Sequence, residues 1–223
     1  MREVVLDTET TGLDPGTGHR IVEIGCVELV NHLPTGHEYQ AYINPDRDVP
    51  EAAFEVHGLS SAFLAQKPRF SAIVGEFLAF IGPDKLIIHN AEFDLGFLNA
   101  ELKRVDGPTL SRERVLDTLE LARRKEPGAP ASLDALARRY AVDTQARVRH
   151  GALVDARLLA EIYLCLIGGR EPALGLATRV PYAAPDASST TAARKPRRHA
   201  PTPDERALHA DFIDVIKSPI WHG

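Results

Sequence analysis

The stretch Val4-Val5-Leu6-Asp7-Thr8-Glu9-Thr10-Thr11-Gly12 runs from strand formers straight into two carboxylates one residue apart. Side chains alternate faces along a strand, so Asp7 and Glu9 point the same way, separated by roughly 7 Å or less. Two like charges held together at the end of a buried strand repel each other, and a divalent cation or a shared proton is the common compensation. The stretch alone leaves two readings open: a solvated acidic turn after an edge strand, or half of a cation site.

Outward from it, residues 10–19 hold Gly12, Asp14, Pro15, Gly16 and Gly18, which predict a loop with strong turn chemistry. Residues 21–30 (IVEIGCVELV) alternate as a strand, in which Gly25 marks a bulge or a close backbone approach. Residues 31–36 break the pattern and 39–44 resume it, so the first three strands are expected as antiparallel neighbours in a meander. A short helix is expected over 50–56, with Pro50 near its start and Gly58 stopping it. His57 at that stop is either a helix-end cap or a ligand. Ile73, Val74, Phe77, Leu78 and Ile81 give residues 71–81 one apolar helical face, ended by Gly82-Pro83.

Leu86-Ile87-Ile88 is a short apolar strand of the kind buried on both faces. It passes through His89-Asn90 into a helix over 91–104, with Phe93, Phe97, Leu98 and Leu102 on its apolar side and Asp94 in its first turn. There Asp94 either complements the helix dipole or is a functional group at the carboxyl edge of a sheet. Residues 115–118 repeat the strand-to-helix pattern, with Thr118 expected as N-cap of a helix over 119–125. Ser132 caps a further helix to Tyr140, and 143–149 are polar and turn-like, carrying Arg147 and Arg149 ahead of His150. The last strong helix is 152–167 (ALVDARLLAEIYLCLI), with Asp155 on its first turns and Gly168-Gly169 at its stop.

The length of 223 residues suits one α/β domain with an appendage or two small domains. A net charge of −5 excludes nucleic-acid binding driven by overall positive charge, leaving a local basic patch or metal ions as the means. Cys26 and Cys165 stand far apart in apolar surroundings, read as buried free thiols, and argue against zinc. Charged residues crowd the N-terminus and no apolar run approaches about 18 residues, so a cytoplasmic protein without membrane contact is expected.

After Gly169 the texture changes. Residues 173–203 are rich in Ala, Pro, Ser and Thr, with Arg194, Lys195, Arg197 and Arg198, and read as a disordered linker. Leu208, Phe212, Ile213, Val215 and Ile216 then space a short amphipathic helix, ending near Lys217 and followed by Ile220 and Trp221. It is either a tethered motif for a partner groove or a segment that folds back on the domain. The expected division is 1–169, 170–203 and 204–223.

Asp7, Glu9, Asp94 and Asp155 thus stand at strand ends or helix starts, with His150 beside the last. Oxygen ligands without cysteine select Mg²⁺ or Mn²⁺. Four carboxylates suit a pair of ions about 3.5–4 Å apart that clamp the attacking and leaving oxygens of a phosphodiester. A histidine on a loop can take the proton of the attacking water near neutral pH.

Three segments, DTETTG (7–12), HNAEFD (89–94) and HGALVDA (150–156), together resemble the DEDDh family of 3′→5′ exonucleases. Within it, IVEIGCVELVN, INPDRDVPEAAFEVHGLS, SLDALARRY and LLAEIYLCLIGG resemble the proofreading (epsilon) subunits of bacterial DNA polymerase III, over residues 2–169. The resemblance implies a ribonuclease H-like fold, a mixed sheet flanked by helices. It implies that Asp7, Glu9, Asp94 and Asp155 hold two divalent cations and that His150 is the general base. It also implies that Thr8, Thr10 and Leu13 line the pocket of the 3′-terminal nucleotide, with His57, Asn90 and Phe93 around it. The expected substrate is a single-stranded or frayed DNA 3′ end, and the expected partner is the polymerase catalytic subunit, bound through the C-terminal tail.

In the family a glutamine-led clamp-binding motif follows the nuclease domain. Residues 170–176 offer Leu174 and Leu176 as apolar anchors but lack the glutamine, so a sliding-clamp contact rests on a degenerate motif. Two other functions compete: a DEDDh nuclease trimming RNA 3′ ends or acting in DNA repair, and a mainly structural polymerase subunit. The long tail with its apolar terminal motif argues against the first, and the intact acids and His150 argue against the second.

Overall fold

In a computed structural model of the chain, which describes residues 1–144, 150–169 and 200–215, five strands form one mixed sheet. β1 (Arg2–Thr10) lies at its centre. β2 (Ile21–Val30) pairs antiparallel to β1 and β3 (Leu33–Tyr42) antiparallel to β2, as the meander predicts. On the other side β4 (Lys85–Ile88) runs parallel to β1 and β5 (Val115–Asp117) parallel to β4, giving the order β3-β2-β1-β4-β5.

One expectation is corrected at the β2–β3 hairpin. The break is not residues 31–36 but a two-residue turn, Asn31 (φ 52°) and His32 (φ 67°), so β3 begins at Leu33. Positive φ at both positions gives the turn a twist that matches the strands it joins. Pro34 and Gly36 read as breakers, yet β3 is an edge strand and tolerates them.

Helices cover both faces because the buried strands are apolar on both. On one face Val4, Leu6, Ile24, Cys26 and Leu86 meet Phe70 and Phe77 of α3 (Phe70–Ile81) and Phe97 and Leu102 of α4 (Ala91–Arg104). On the other, Val5, Val27 and Ile87 meet Leu153, Ala156, Leu159 and Tyr163 of α7 (Ala152–Leu166). α5 (Thr118–Lys125) and α6 (Leu133–Arg139) pack against α7 through Ala122, Leu136, Leu158 and Ile162. α1 (Glu51–His57) and the four-residue α2 (Ser61–Leu64) lie between β3 and α3. α2 is too short to show a period in the sequence, and Ser60 caps it by accepting from the Phe63 amide.

Strand alternation fixes the direction of the acids: Asp7 and Glu9 continue the row of Val5, toward α7. The approach of that helix depends on Gly25, which pairs with Asp7 across β1 and β2. A Cβ there would lie 2.2 Å from the Leu153 nitrogen and 2.3 Å from the Ala152 carbonyl carbon. Of the two readings of Gly25, close backbone approach is the one found.

A second correction concerns α5. Its N-cap is Asp117, whose carboxylate accepts from the amides of Leu119 (2.8 Å) and Glu120 (3.4 Å). Thr118, the expected cap, is already helical, and its hydroxyl faces the Ile88 carbonyl (3.3 Å) and His89 Nδ1 (2.9 Å). Ser132 caps α6 as expected, accepting from the Ala135 amide. Cys26 and Cys165 are buried free thiols, also as expected.

The chain divides into two units, Met1–Gly175 and Leu176–Gly223. In the second, α8 (Pro203–Val215) opens with a capping box: the Glu205 carboxylate accepts from the Thr202 amide, and Thr202 Oγ1 from the Glu205 amide. Leu208, Phe212 and Val215 on this helix are 69%, 65% and 83% exposed. Arg147, Arg149, the clamp-like stretch 170–176, most of the linker and Trp221 lie outside the described residues. Among the described residues no helix is long and apolar enough to cross a membrane.

Candidate active site

β1 brings Asp7 and Glu9 to the carboxyl edge of its parallel pairing with β4, where strand-to-helix junctions gather functional groups. Thr8 between them faces the opposite way, and its buried hydroxyl donates to Asp94 Oδ1 at 2.7 Å. One strand therefore positions three acids, two directly and the third through Thr8. Asp94 lies in the first turn of α4 and is 3% exposed. Burial pushes its carboxyl up to about 7; the Thr8 hydroxyl pulls it back and the charge of Asp117 adds to the rise.

α7 supplies the rest from the other face. Asp155 is buried on its first turn, and Asp155 Oδ2 lies 3.1 Å from Nδ1 of the exposed His150. Ligand atoms of Glu9, His150 and Asp155 all lie within 4.8 Å of one another. With the Nδ1 proton donated to Asp155, the neutral imidazole carries its lone pair on Nε2. Glu9, Asp94 and Asp155 are three buried carboxylates at one sheet edge, with Asp7 half-buried in the same row. This oxygen-rich, cysteine-free set fits hard divalent cations, whose charge would offset the burial that raises Asp94.

Beside Glu9 opens a cavity of about 480 Å³ lined by Thr10, Leu13, Val56 and His57. Leu13 is 85% exposed at its lip, whereas His57 is buried. His57 Nδ1 accepts from the Leu59 amide at 2.9 Å, while the end of α1 is closed by the Gly58 amide donating to the Phe54 carbonyl. His57 Nε2 is buried and, among the described residues, meets no partner in hydrogen-bonding geometry. Burial pushes the imidazole below its usual range, with the Thr10 carbonyl opposing. Thr10, Leu13 and His57 are thus brought together with Glu9. Thr8 is not in this lining, since its side chain is turned to Asp94. Asn90, in the left-handed region (φ 64°), lines a separate depression between α4 and α5, and Phe93 packs on Phe97 with ring centroids 5.0 Å apart.

Two buried carboxylates were not anticipated as part of the site. Glu23 Oε2 accepts from the Ala152 amide at 3.2 Å, and Asp117 accepts from the amides of Asn90 (3.1 Å) and Ala91 (2.9 Å). For Glu23 the available signal was a charge at an inward position of an apolar strand. For Asp117 it was an acid directly before a helix start.

Residues 4–163 match the exonuclease family RNase_T. DNA polymerase III subunit epsilon of Rickettsia prowazekii (strain Madrid E) is 47% identical over 227 residues, covering 97% of each chain. The chain belongs to the epsilon-subunit family of 3′→5′ exonucleases. The DNA polymerase III epsilon subunit of Escherichia coli (strain K12) is 47% identical over 176 residues, 76% of this chain and 72% of its own. Among solved structures, exonuclease X in complex with 5′-overhanging duplex DNA is 26% identical, with a TM-score of 0.59 over 75% of this chain and 92% of its own. The nuclease domain of 3′hExo, a DEDDh family member bound to rAMP, shares the fold at 17% identity, with a TM-score of 0.66 over 75% and 92%. The chain is accordingly a 3′→5′ exonuclease, a phosphodiester hydrolase of a family that depends on divalent metal, and its fold is the ribonuclease H-like one expected.

Proposed function

We propose that this exonuclease removes mismatched 3′-terminal nucleotides from DNA as the proofreading subunit of a replicative polymerase. The observation that carries the chemistry is the convergence of Glu9, His150 and Asp155 within 4.8 Å at the sheet edge that also receives Asp94. Asp7, Glu9, Asp94 and Asp155 would hold two divalent cations, Mg²⁺ or Mn²⁺. When bound, these supply Lewis-acid stabilisation of the charge that develops on the phosphodiester oxygens. His150 acts as general base: Asp155 orients the ring through Nδ1, and Nε2 takes the proton of the attacking water.

The 3′-terminal nucleotide enters the cavity beside Glu9, its base against Leu13 and His57 and its sugar near Thr10. Thr8 contributes through Asp94, while Asn90 lines the separate depression between α4 and α5 and Phe93 packs on Phe97. Selection of mismatched ends needs no reading of sequence, because unpairing a mismatched terminus costs less than unpairing a matched one. A chain with a net charge of −5 also avoids adhering to duplex, so the polymerase delivers the end.

The polymerase contact falls to the second unit. Leu208, Phe212 and Val215 recur at i, i+4 and i+7 and present an exposed apolar stripe of the kind that docks in a groove. The relatives that match nearly the whole chain are polymerase III subunits by name, which supports this role over a free-standing trimmer. On this reading residues 1–169 are the nuclease, 170–203 the linker and 204–223 the polymerase-binding segment. The test is a primer–template with a matched or mismatched 3′ end, given to the chain alone and with its polymerase subunit. Faster removal of the mismatched end, and co-purification lost on truncation after Gly169, are expected. Co-purification that survives truncation would move the interface onto the nuclease unit.

A further inference from the structure

The two helices that carry an acid of the centre each begin without a side-chain cap of their own: neither Asn90 before α4 nor Gly151 before α7 supplies one. In both cases a neighbouring strand provides the acceptor. Asp117, at the end of β5, receives the amides of Asn90 and Ala91 as well as those of Leu119 and Glu120, so one carboxylate holds the starts of α4 and α5 together. Glu23, on β2, receives the Ala152 amide on Oε2 and the Gln40 side-chain amide on Oε1 at 2.8 Å. Both carboxylates are buried, Asp117 at 8% and Glu23 at 2% exposed. The registers coincide. Asp94 lies three residues beyond the held amide of Ala91 (94 − 91), and Asp155 three beyond that of Ala152 (155 − 152). Residues three apart on a helix share a side, so fixing each first amide fixes the acid one turn on.

We propose that Glu23 and Asp117 are positioning residues, which set Asp155 and Asp94 by holding the helix starts and touch neither cation nor substrate. The proposal rests on the reading of the four acids as the metal centre. The cores of both helices are secured elsewhere, α4 by Phe97, Leu98 and Leu102 and α7 by Leu159, Ile162 and Tyr163. Loss of a cap should therefore loosen the first turn, where the acid sits, and leave the remainder packed. The two sites differ in what they tolerate. All four partners of Asp117 are N–H donors, so Asp117→Asn sets an NH₂ against an N–H. Glu23→Gln can keep its oxygen on the Ala152 amide and turn its NH₂ to the oxygen of a flipped Gln40.

The test is Mn²⁺ binding to the full chain without DNA, read by calorimetry beside thermal melting and nucleotide release. Asp117→Asn and Glu23→Ala should bind Mn²⁺ about 10–100-fold more weakly, as loss of a partner that orients a ligand typically does, while Glu23→Gln stays near the native affinity. Leu102→Ala, a core change at the far end of α4, should lower the melting temperature and leave Mn²⁺ affinity alone. Native affinity in Asp117→Asn and Glu23→Ala overturns the proposal, as does an equal loss in Leu102→Ala. If Asp117→Asn does not fold, the Glu23 pair decides, and equal affinities for the Ala and Gln variants count against it. The Asp7→Ala, Glu9→Ala protein is the control: Mn²⁺ binding that survives there defeats the metal-centre reading itself.

Discussion

Replacing Gly25 with alanine tests how the site is assembled, because this residue sets the distance between two of its parts. Its Cβ would stand 2.2 Å from the Leu153 nitrogen, and ordinary contact begins at 3.4 Å, so β2 and α7 must separate by about 1.2 Å (3.4 − 2.2). The obstructing atoms are backbone and cannot rotate away. Overpacking of this kind costs about 1–3 kcal/mol. In a chain of this size that lowers Tm by roughly 2–12 °C. The functional effect should be larger, since α7 carries Asp155 and follows His150, while Asp7 and Glu9 stay with the sheet. A misplacement near 1 Å costs on the order of 100-fold in rate. The assay is single-turnover release of the 3′ nucleotide from single-stranded DNA in saturating Mg²⁺, well below the melting temperature, with circular dichroism to show a retained fold. Gly75→Ala is the internal comparison: nothing lies within 4 Å of its Cβ position inside α3, so it should gain stability by about 0.4–1 kcal/mol and keep its rate. Native rate and Tm in Gly25→Ala would refute the claim that α7 rests on β2 at this point.

His150→Ala should lower kcat about 10²–10⁴-fold with little change in KM, the signature of a lost general base, and steady-state kinetics on a short oligonucleotide will read both. In chelator-treated protein, the Asp94 carboxyl held at about 7 keeps a proton that the unfolded chain, with its ordinary value of 3.8, releases. Its contribution to stability is complete below about pH 4 and is lost as pH rises through 7, so Tm should fall across that window and Asp94→Asn should flatten the slope. Phe212→Asp, at a residue 65% exposed on α8, should abolish capture of the polymerase subunit in a pull-down and leave nuclease activity on single-stranded DNA unchanged.

Much of the candidate site was legible because its parts are local. Asp7 and Glu9 announce themselves by period-two spacing at a strand end, and Asp94 and Asp155 by their place in the first turn of helices whose periodicity is strong. Gly25 stood out as a glycine inside an apolar strand, and the structure shows what it makes room for. What the sequence hid is non-local. That Thr8 holds Asp94, that Glu23 caps α7 and that Asp117 caps α4 are contacts over 86, 129 and 26 residues. Spacing says nothing about such pairs. Thr118 and Asp117 are both ordinary N-cap residues and spacing alone did not choose between them, whereas the Asp117 carboxylate reaches amides at the starts of two helices. The short β2–β3 turn was obscured by Pro34 and Gly36, which signal loop everywhere except on an edge strand.

The central claim is that the acids at the end of β1 form a metal centre that cuts DNA from its 3′ end. The most direct measurement is the cleavage of 5′-labelled single-stranded DNA in Mg²⁺ by the native chain and by the Asp7→Ala, Glu9→Ala variant. The native chain should yield a ladder shortening from the 3′ end, and the variant should leave the substrate intact while melting as a folded protein. A variant that still produces that ladder would contradict the account.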